Sequence, residues 1–256
     1  MLKKSLKLAA IAVAATLALS GCSGGLLGGG SDTNTDGPIK FGMLIPLTGS
    51  ESAIAPYMQN GAQLAVDELN AAGGVLGRQI ELVVDDEACD PQIATAGANK
   101  LVSAGVTVSV GGYCSGATMP TLPIFNKAGI PMVIPAANSE TLVDQKLANV
   151  FLVNATGSQQ AGAAVKYIQK IGSKKVAVLD DATSYSADIA KRTVDGLKAA
   201  NIAVDAVTVT PGESDYSTAI TSTLSKKPDF IYYTGYFQEA GLIINQLRAA
   251  GYKGEY

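Results

Sequence analysis

Histidine is absent from all 256 residues of this chain. That absence excludes Ser-His-Asp and Cys-His catalysis and removes the commonest zinc ligand. Basic surface is also scarce: 19 Lys and Arg against 22 Asp and Glu leave a formal charge of −3, so nucleic acid is an unpromising partner. Cysteine is limited to Cys22, Cys89 and Cys114. No apolar run is long enough to span a bilayer comfortably; the longest, Leu8 to Leu19, falls short of the requirement of about 20 residues. What the chain does have is 47% hydrophobic residues, enough for a sizeable core in one large domain or two small ones.

Lys3, Lys4 and Lys7 precede the run Leu8 to Leu19, the order of an export signal rather than of a folded helix. The run ends in Leu19-Ser20-Gly21-Cys22, which resembles the bacterial lipobox, whose cysteine is lipidated and becomes the mature N-terminus. The competing reading is an ordinary secretory peptide with a chance cysteine. From Ser23 to Pro38, Gly, Ser, Thr, Asn and Asp dominate, too poor in apolar residues to repay ordering, as expected of a flexible tether. Gly24 to Gly30 lacks a Gly-Lys-Ser/Thr ending and follows no strand, so it is no phosphate-binding loop.

Beyond the tether, short β-branched runs alternate with segments of helical period. Strands are predicted at Ile39 to Ile45, Ile80 to Val84, Val106 to Val110 and Pro131 to Ile134. Helices fall between them: one carries Ala62, Ala65, Val66 and Leu69 on one face, and others span Ile93 to Ala104 and Ala117 to Lys127. The rhythm restarts with a helical face at Ala161, Ala164, Val165 and Ile168. It continues through strands Val176 to Leu179, Val204 to Val209 and Phe230 to Tyr233, a helix at Ile189 to Ala199, and a last helical face at Ala240, Ile243, Ile244 and Leu247. The expectation is an α/β chain of two lobes, each a parallel sheet covered by helices, with a boundary near Asn154 to Ser158. Ligands of such sheets sit beyond the carboxyl ends of the strands.

Several ordered blocks make the pattern specific. They include Pro46-Leu47-Thr48-Gly49, Asn60-Gly61-Ala62 through Gly73-Gly74-Val75, and Asp85-Asp86-Glu87-Ala88-Cys89-Asp90-Pro91. Further along come Gly112-Tyr113-Cys114-Ser115, Pro135-Ala136-Ala137, Asp195-Gly196-Leu197-Lys198-Ala199-Ala200 and Tyr232-Tyr233-Thr234-Gly235-Tyr236. Together they resemble the leucine/isoleucine/valine-binding proteins of ABC importers, the type I periplasmic-binding-protein fold, from about Ile39 to Tyr256. With the signal at 1–21 and the lipidated Cys22 and tether at 22–38 read from the N-terminal residues, the resemblance implies a first lobe at 39–156 and a second, incomplete lobe at 157–256. Family members run on past Tyr256, complete the second lobe, cross back to the first and supply a carboxylate for the ligand's ammonium.

The same resemblance implies a disulfide between Cys89 and Cys114, which an exported setting permits. It also implies a zwitterion site. Ser115, opening a helix after a strand, would hold the ligand's carboxylate with its hydroxyl and neighbouring N–H groups, although a serine there also commonly just caps its helix. Ala136 would offer its backbone carbonyl to the ammonium. Asn138 stands where a threonine is usual, and Ile54 where an aromatic often lines the side-chain pocket, so both departures loosen the choice of branched-chain ligand. Tyr185 and Tyr236 would close over the ligand from the second lobe. Glu239 and Asp181 are expected to be solvated or capping, with Asp181 close to the cleft.

The function this implies is capture without chemistry: a monomeric, lipid-anchored extracytoplasmic protein, with no cofactor and no metal, hands a free amino acid to ABC permease subunits. A sensor domain for amides, urea or aromatic acids is the alternative from another class. An enzyme built on Asp85-Asp86-Glu87 has no visible nucleophile and base. A truncated, nonfunctional product is the remaining reading.

Overall fold

The computed structural model describes residues 37–256; the segments expected to be an export signal and a tether, with Cys22, lie outside the described residues except for the last two tether positions. The first sheet contains β1 (Ile39–Ile45), β2 (Ile80–Asp86), β3 (Val108–Ser109), β4 (Met132–Ile134) and β5 (Val150–Leu152), in the order β2-β1-β3-β4-β5. The second contains β6 (Lys175–Asp180), β7 (Ala203–Thr208) and β8 (Phe230–Tyr233), in the order β7-β6-β8. All named strand pairs are parallel. Each parallel connection therefore needs a crossover long enough to carry a helix. The crossovers hold α1 (Ala55–Ala71), α2 (Pro91–Ser103), α3 (Ser115–Thr118), α4 (Thr121–Lys127), α5 (Thr141–Asp144), α6 (Gly157–Lys170), α7 (Ser184–Ala199) and α8 (Ser217–Ser225), with α9 (Phe237–Ala249) after β8.

The central strands read as unbroken apolar runs because both faces are covered. In β6, Val176, Ala177, Val178 and Leu179 are all fully buried, with Ala177 and Leu179 packing to one side and Val176 and Val178 to the other. In β1, Leu44 joins Leu101, Leu122, Phe125, Met132 and Ile134, whereas Met43 and Ile45 face Ala55 at the start of α1. Burying each such side chain contributes about 1.5–3 kcal/mol before entropy is counted.

Local signals set the helix boundaries. Asp90 caps α2 by accepting from the N–H groups of Gln92 and Ile93 at 2.8 and 2.9 Å, with Pro91 in the first turn, where its missing N–H costs nothing. Thr156 and Gln159 form a capping box at α6. The single helix expected from Ala117 to Lys127 is instead two. Pro120 has no N–H to continue α3, and α4 starts afresh at Thr121, whose hydroxyl donates to the Thr118 carbonyl at 2.7 Å. Of the α1 face Ala62, Ala65, Val66 and Leu69, only Val66 is buried; α1 packs mainly on β2, at the edge of the sheet, and so leaves most of its surface to solvent. Strand β5 and helix α8 were not expected; β5 has three residues, and α8 is rich in Ser and Thr.

After β5 the chain crosses from the first sheet to the second through Val153 to Thr156. Beyond β3, Val110 and Gly112 keep bonding β1, donating to the carbonyls of Gly42 and Leu44 at 2.8 Å each. Gly111 lies between them so close to Leu44 that a Cβ there would overlap the Leu44 backbone. This close approach carries Tyr113, Cys114 and Ser115 to the carboxyl end of the sheet. Among the described residues, no helix is long and apolar enough to cross a membrane.

Candidate functional site

The carboxyl ends of the two sheets face each other across a cavity of about 450 Å³. The first lobe lines it with Tyr113 after β3, Pro135, Ala136 and Asn138 after β4, and Asn154 after β5. The second lobe lines it with Gln160 of α6, Tyr185 in the first turn of α7, and Gly235, Tyr236 and Phe237 after β8. None of these ten residues is charged. The volume suits a small organic solute.

Three tyrosine rings run from one lobe to the other. The Tyr236 ring lies 5.8 Å from that of Tyr113 and 5.2 Å from that of Tyr185, tilted by 37° and 35°. These tilted spacings lie within the favourable range for aromatic pairs. Burial pushes the Tyr113 phenol up to about 12 and that of Tyr236 higher still, so both stay neutral hydrogen-bonding groups.

The polar wall is made of amides. Asn138 donates through Nδ2 to the Ala155 carbonyl at 3.1 Å and to Gln160 Oε1 at 2.9 Å, while Gln160 Nε2 donates to the Tyr185 hydroxyl at 3.4 Å. Asn154 Nδ2 donates to the Ala136 carbonyl at 2.7 Å. The amide oxygens of Asn138 and Asn154 are buried and have no partner.

Ala136, Asn138, Tyr185 and Tyr236, all named from the sequence, line one cavity. Ser115 does not reach its wall. It is fully buried, and its Oγ accepts from the backbone N–H groups of Asn138 and Ser139 at 3.2 Å each, tying α3 to the loop after β4. Ile54 is half-buried in a 3-10 turn (Ser52–Ile54) before α1 and is likewise outside the wall. Tyr113, Asn154 and Gln160 escaped notice as site residues. Tyr113 lay within a recognised block, and Asn154 carried the signal of a polar residue ending the apolar run Val150 to Val153.

Cys89 and Cys114 are joined, with Cα atoms 5.2 Å apart. The carboxylate of Glu87 lies beside them and accepts from the N–H groups of Tyr113 and Cys114 at 3.1 and 2.9 Å, which positions the loop that carries Tyr113. Glu87, Cys89 and Cys114 bring ligand-type atoms within 4.8 Å of one another, but with both sulfurs in a disulfide there is no thiolate to hold a metal. Ala88 and Cys89 both adopt left-handed backbone, at φ 43° and 54°, conformations that cost a non-glycine residue energy and persist here under the disulfide and an Asp86 Oδ1 bond to the Ala88 N–H.

A second polar group lies where the lobes touch. Glu51 from the first lobe meets the field of Asp181 and Glu239 from the second. Glu239, expected to be solvated or capping, is 5% exposed and accepts from the Gly212 N–H at 3.1 Å; Glu51 is 3% exposed. Asp181 accepts from the N–H and hydroxyl of Thr183 and from the Tyr233 hydroxyl. Gly235 is required here, since a Cβ would strike Tyr233 and Asp181. Burial, reinforced by Glu239 and then Asp181 against a hydrogen bond from Ser50, pushes the Glu51 carboxyl from 4.5 up to about 7.

This shift sets a pH dependence. Between pH 4.5 and about 7 the folded chain holds a proton on Glu51 that the unfolded chain releases, so stability is greatest below this window and falls as pH rises through it. Glu87, also pushed by burial up to about 7, acts in the same direction. Glu51→Gln should therefore raise stability above pH 7 by on the order of 1 kcal/mol and flatten the curve of denaturation midpoint against pH. A variant curve parallel to that of the wild type would remove Glu51 from this account.

Two sheets of this topology, with a neutral cavity between their carboxyl ends, define a two-lobed binding protein. Comparison with known proteins agrees: a family model described as periplasmic binding protein matches residues 38–256, and the chain belongs to that family. Over 222 residues it is 35% identical to the Leu/Ile/Val-binding protein of Escherichia coli (strain K12), covering 85% of this chain and 60% of that protein. The fold matches the branched-chain amino acid transporter substrate binding protein LivJ of Streptococcus pneumoniae, solved in complex with isoleucine, with a TM-score of 0.78 and 34% identity over 85% of this chain and 62% of that one. A leucine binding protein of Thermotoga maritima matches with a TM-score of 0.79 and 28% identity, over 84% and 61% of the two chains. The chain thus spans about three fifths of the length of these relatives. The family is one of binding proteins, not enzymes.

Proposed function

We propose that this protein captures a free amino acid, branched-chain or closely related, outside the cytoplasm and delivers it to an ABC importer. The observation that carries this reading is the uncharged cavity between the lobes, walled by Tyr113, Tyr236 and Tyr185 and by the amides of Asn138, Asn154 and Gln160. Aromatic rings offer apolar surface to a side chain, while carbonyl and amide groups offer hydrogen bonds to a zwitterion. The likeness to Leu/Ile/Val-binding proteins supports the ligand class, and the family supports an extracytoplasmic setting. Attachment through a lipidated Cys22 rests on Leu19-Ser20-Gly21-Cys22, and the division into lobes at 39–156 and 157–256 on the crossing after β5.

Capture proceeds by closure: the ligand enters between open lobes, the polar wall of the first lobe engages its charged ends, and Tyr185 and Tyr236 follow with the second. Ala136 keeps a role through its carbonyl and Asn138 through its amide. Ser115 acts by holding the Asn138 and Ser139 backbone in place.

A thermal-shift panel on the full-length protein tests the assignment. An amino acid present at a hundredfold excess over its Kd should stabilise by about 2.7 kcal/mol. Leucine, isoleucine or valine should give the largest rise in melting temperature. Flat responses to every amino acid would sink the proposal.

A further inference from the structure

We infer that Glu51 of the first lobe and Asp181 and Glu239 of the second form a proton-dependent latch: closing over a solute takes up a proton, and closure weakens as pH rises. This inference rests on the closure described above. Glu51 precedes the 3-10 turn before α1, Asp181 follows β6, and Glu239 lies in the first turn of α9. The three residues are 3%, 1% and 5% exposed, and one carboxylate oxygen each of Glu51 and Glu239 has no hydrogen-bond partner. The lobes touch at this place, where Gln238 Nε2 donates to the Ser50 carbonyl. No cation balances the group: among the described residues, the ion pairs are Lys100 with Asp85, Lys191 with Asp195 and Arg192 with Asp188. Its other titratable neighbours are phenols, Tyr113 and Tyr236 beside Glu51 and Tyr216 and Tyr233 beside Asp181 and Glu239, with Glu87 and Glu213 acting on Tyr113 and Tyr216 behind them.

Like charges gathered away from water disfavour ionisation, and a proton removes the conflict. Burial first, and then Glu239 and Asp181 against the Ser50 bond, raise the Glu51 carboxyl from 4.5 to about 7 with the lobes in contact. Glu239 and Asp181 stand on the opposite lobe, so opening carries them away and lowers this carboxyl again. A group whose pKa is higher in the closed state binds a proton on closing. Closure is therefore strongest at the acid end of the interval from 4.5 to about 7, falls as pH rises through it, and levels off above.

The test uses the full-length protein and L-leucine, titrated calorimetrically near pH 6 in buffers of different ionisation enthalpy. The wild type should take up a proton on binding, and its Kd should rise about tenfold from pH 5 to pH 8, most of it below pH 7. Glu51→Gln keeps the size and cannot ionise, so it should bind without proton uptake and with a Kd that stays level over this range. Glu239→Gln, which keeps an oxygen for the Gly212 N–H, should shrink the dependence. A wild type that takes up no proton, or a folded Glu51→Gln variant with the pH dependence intact, would overturn the inference. The second arm needs no ligand: small-angle scattering of the free wild type should give a larger radius of gyration at pH 8 than at pH 5. Equal radii would overturn the latch. A wild type that binds neither leucine, isoleucine nor valine yet expands with pH would overturn the amino-acid reading and leave the latch supported.

Discussion

Replacing Tyr236 by alanine should cost roughly a hundredfold in affinity for the amino-acid ligand, the largest loss expected from a single substitution at the cavity. The ring stands between Tyr113 of the opposite lobe and Tyr185 of its own, so its removal breaks two aromatic contacts and opens the wall. Each pair is worth about 0.5–1.5 kcal/mol, and the lost apolar burial adds a comparable amount. A total near 3 kcal/mol is about two decades in Kd. Tyr236→Phe keeps the rings stacked and should stay within a few-fold of wild type. Calorimetric titration of the three proteins settles the matter; an alanine variant that binds as tightly as the parent would remove Tyr236 from the closing surface.

Breaking the Cys89–Cys114 bond is the second large effect. The bridge closes a loop of 25 residues, and on the chain-entropy account its loss should lower stability by about 3–4 kcal/mol. The damage should not stay local to the sulfurs. Ala88 and Cys89 would be free to leave their left-handed conformations, and Glu87 would lose the arrangement that fixes the Tyr113 and Cys114 N–H groups. Denaturant unfolding of oxidised and reduced protein, or of a double Cys→Ala variant, measures this. Coincident curves would show that the surrounding core holds the loop without the bond.

The layout of the sheets was legible because continuous apolar runs such as Val176 to Leu179 and Phe230 to Tyr233 leave few alternatives to buried parallel strands. The break at Pro120 was written in the chain but outvoted by the helical period on either side of it. Strand β5 was not legible: three residues carry too little period, and Phe151 points its ring into the open. At the site, Tyr185 and Tyr236 were named from the sequence, whereas Tyr113, placed just as they are after a strand, was not. The pairing of the amides was not legible. Asn138 and Asn154 become partners only through bonds to backbone carbonyls across the loop after β4 and the crossing, contacts between segments that no local pattern encodes. Glu239 misled for a related reason: a glutamate in the first turn of a helix commonly faces solvent, whereas here it is buried and accepts from the Gly212 N–H of the loop after β7.

The tyrosine row has a consequence for how the protein can be watched. The chain contains ten tyrosines and no tryptophan, so phenol emission is not drained by transfer to an indole. Tyr113, Tyr185 and Tyr236 come together only where one lobe meets the other. If the lobes close over a solute as proposed, their exchange of water for neighbouring rings should register as a change of ultraviolet absorption and fluorescence. The same three side chains that wall the cavity would then serve as an internal optical label for the motion, without any dye attached.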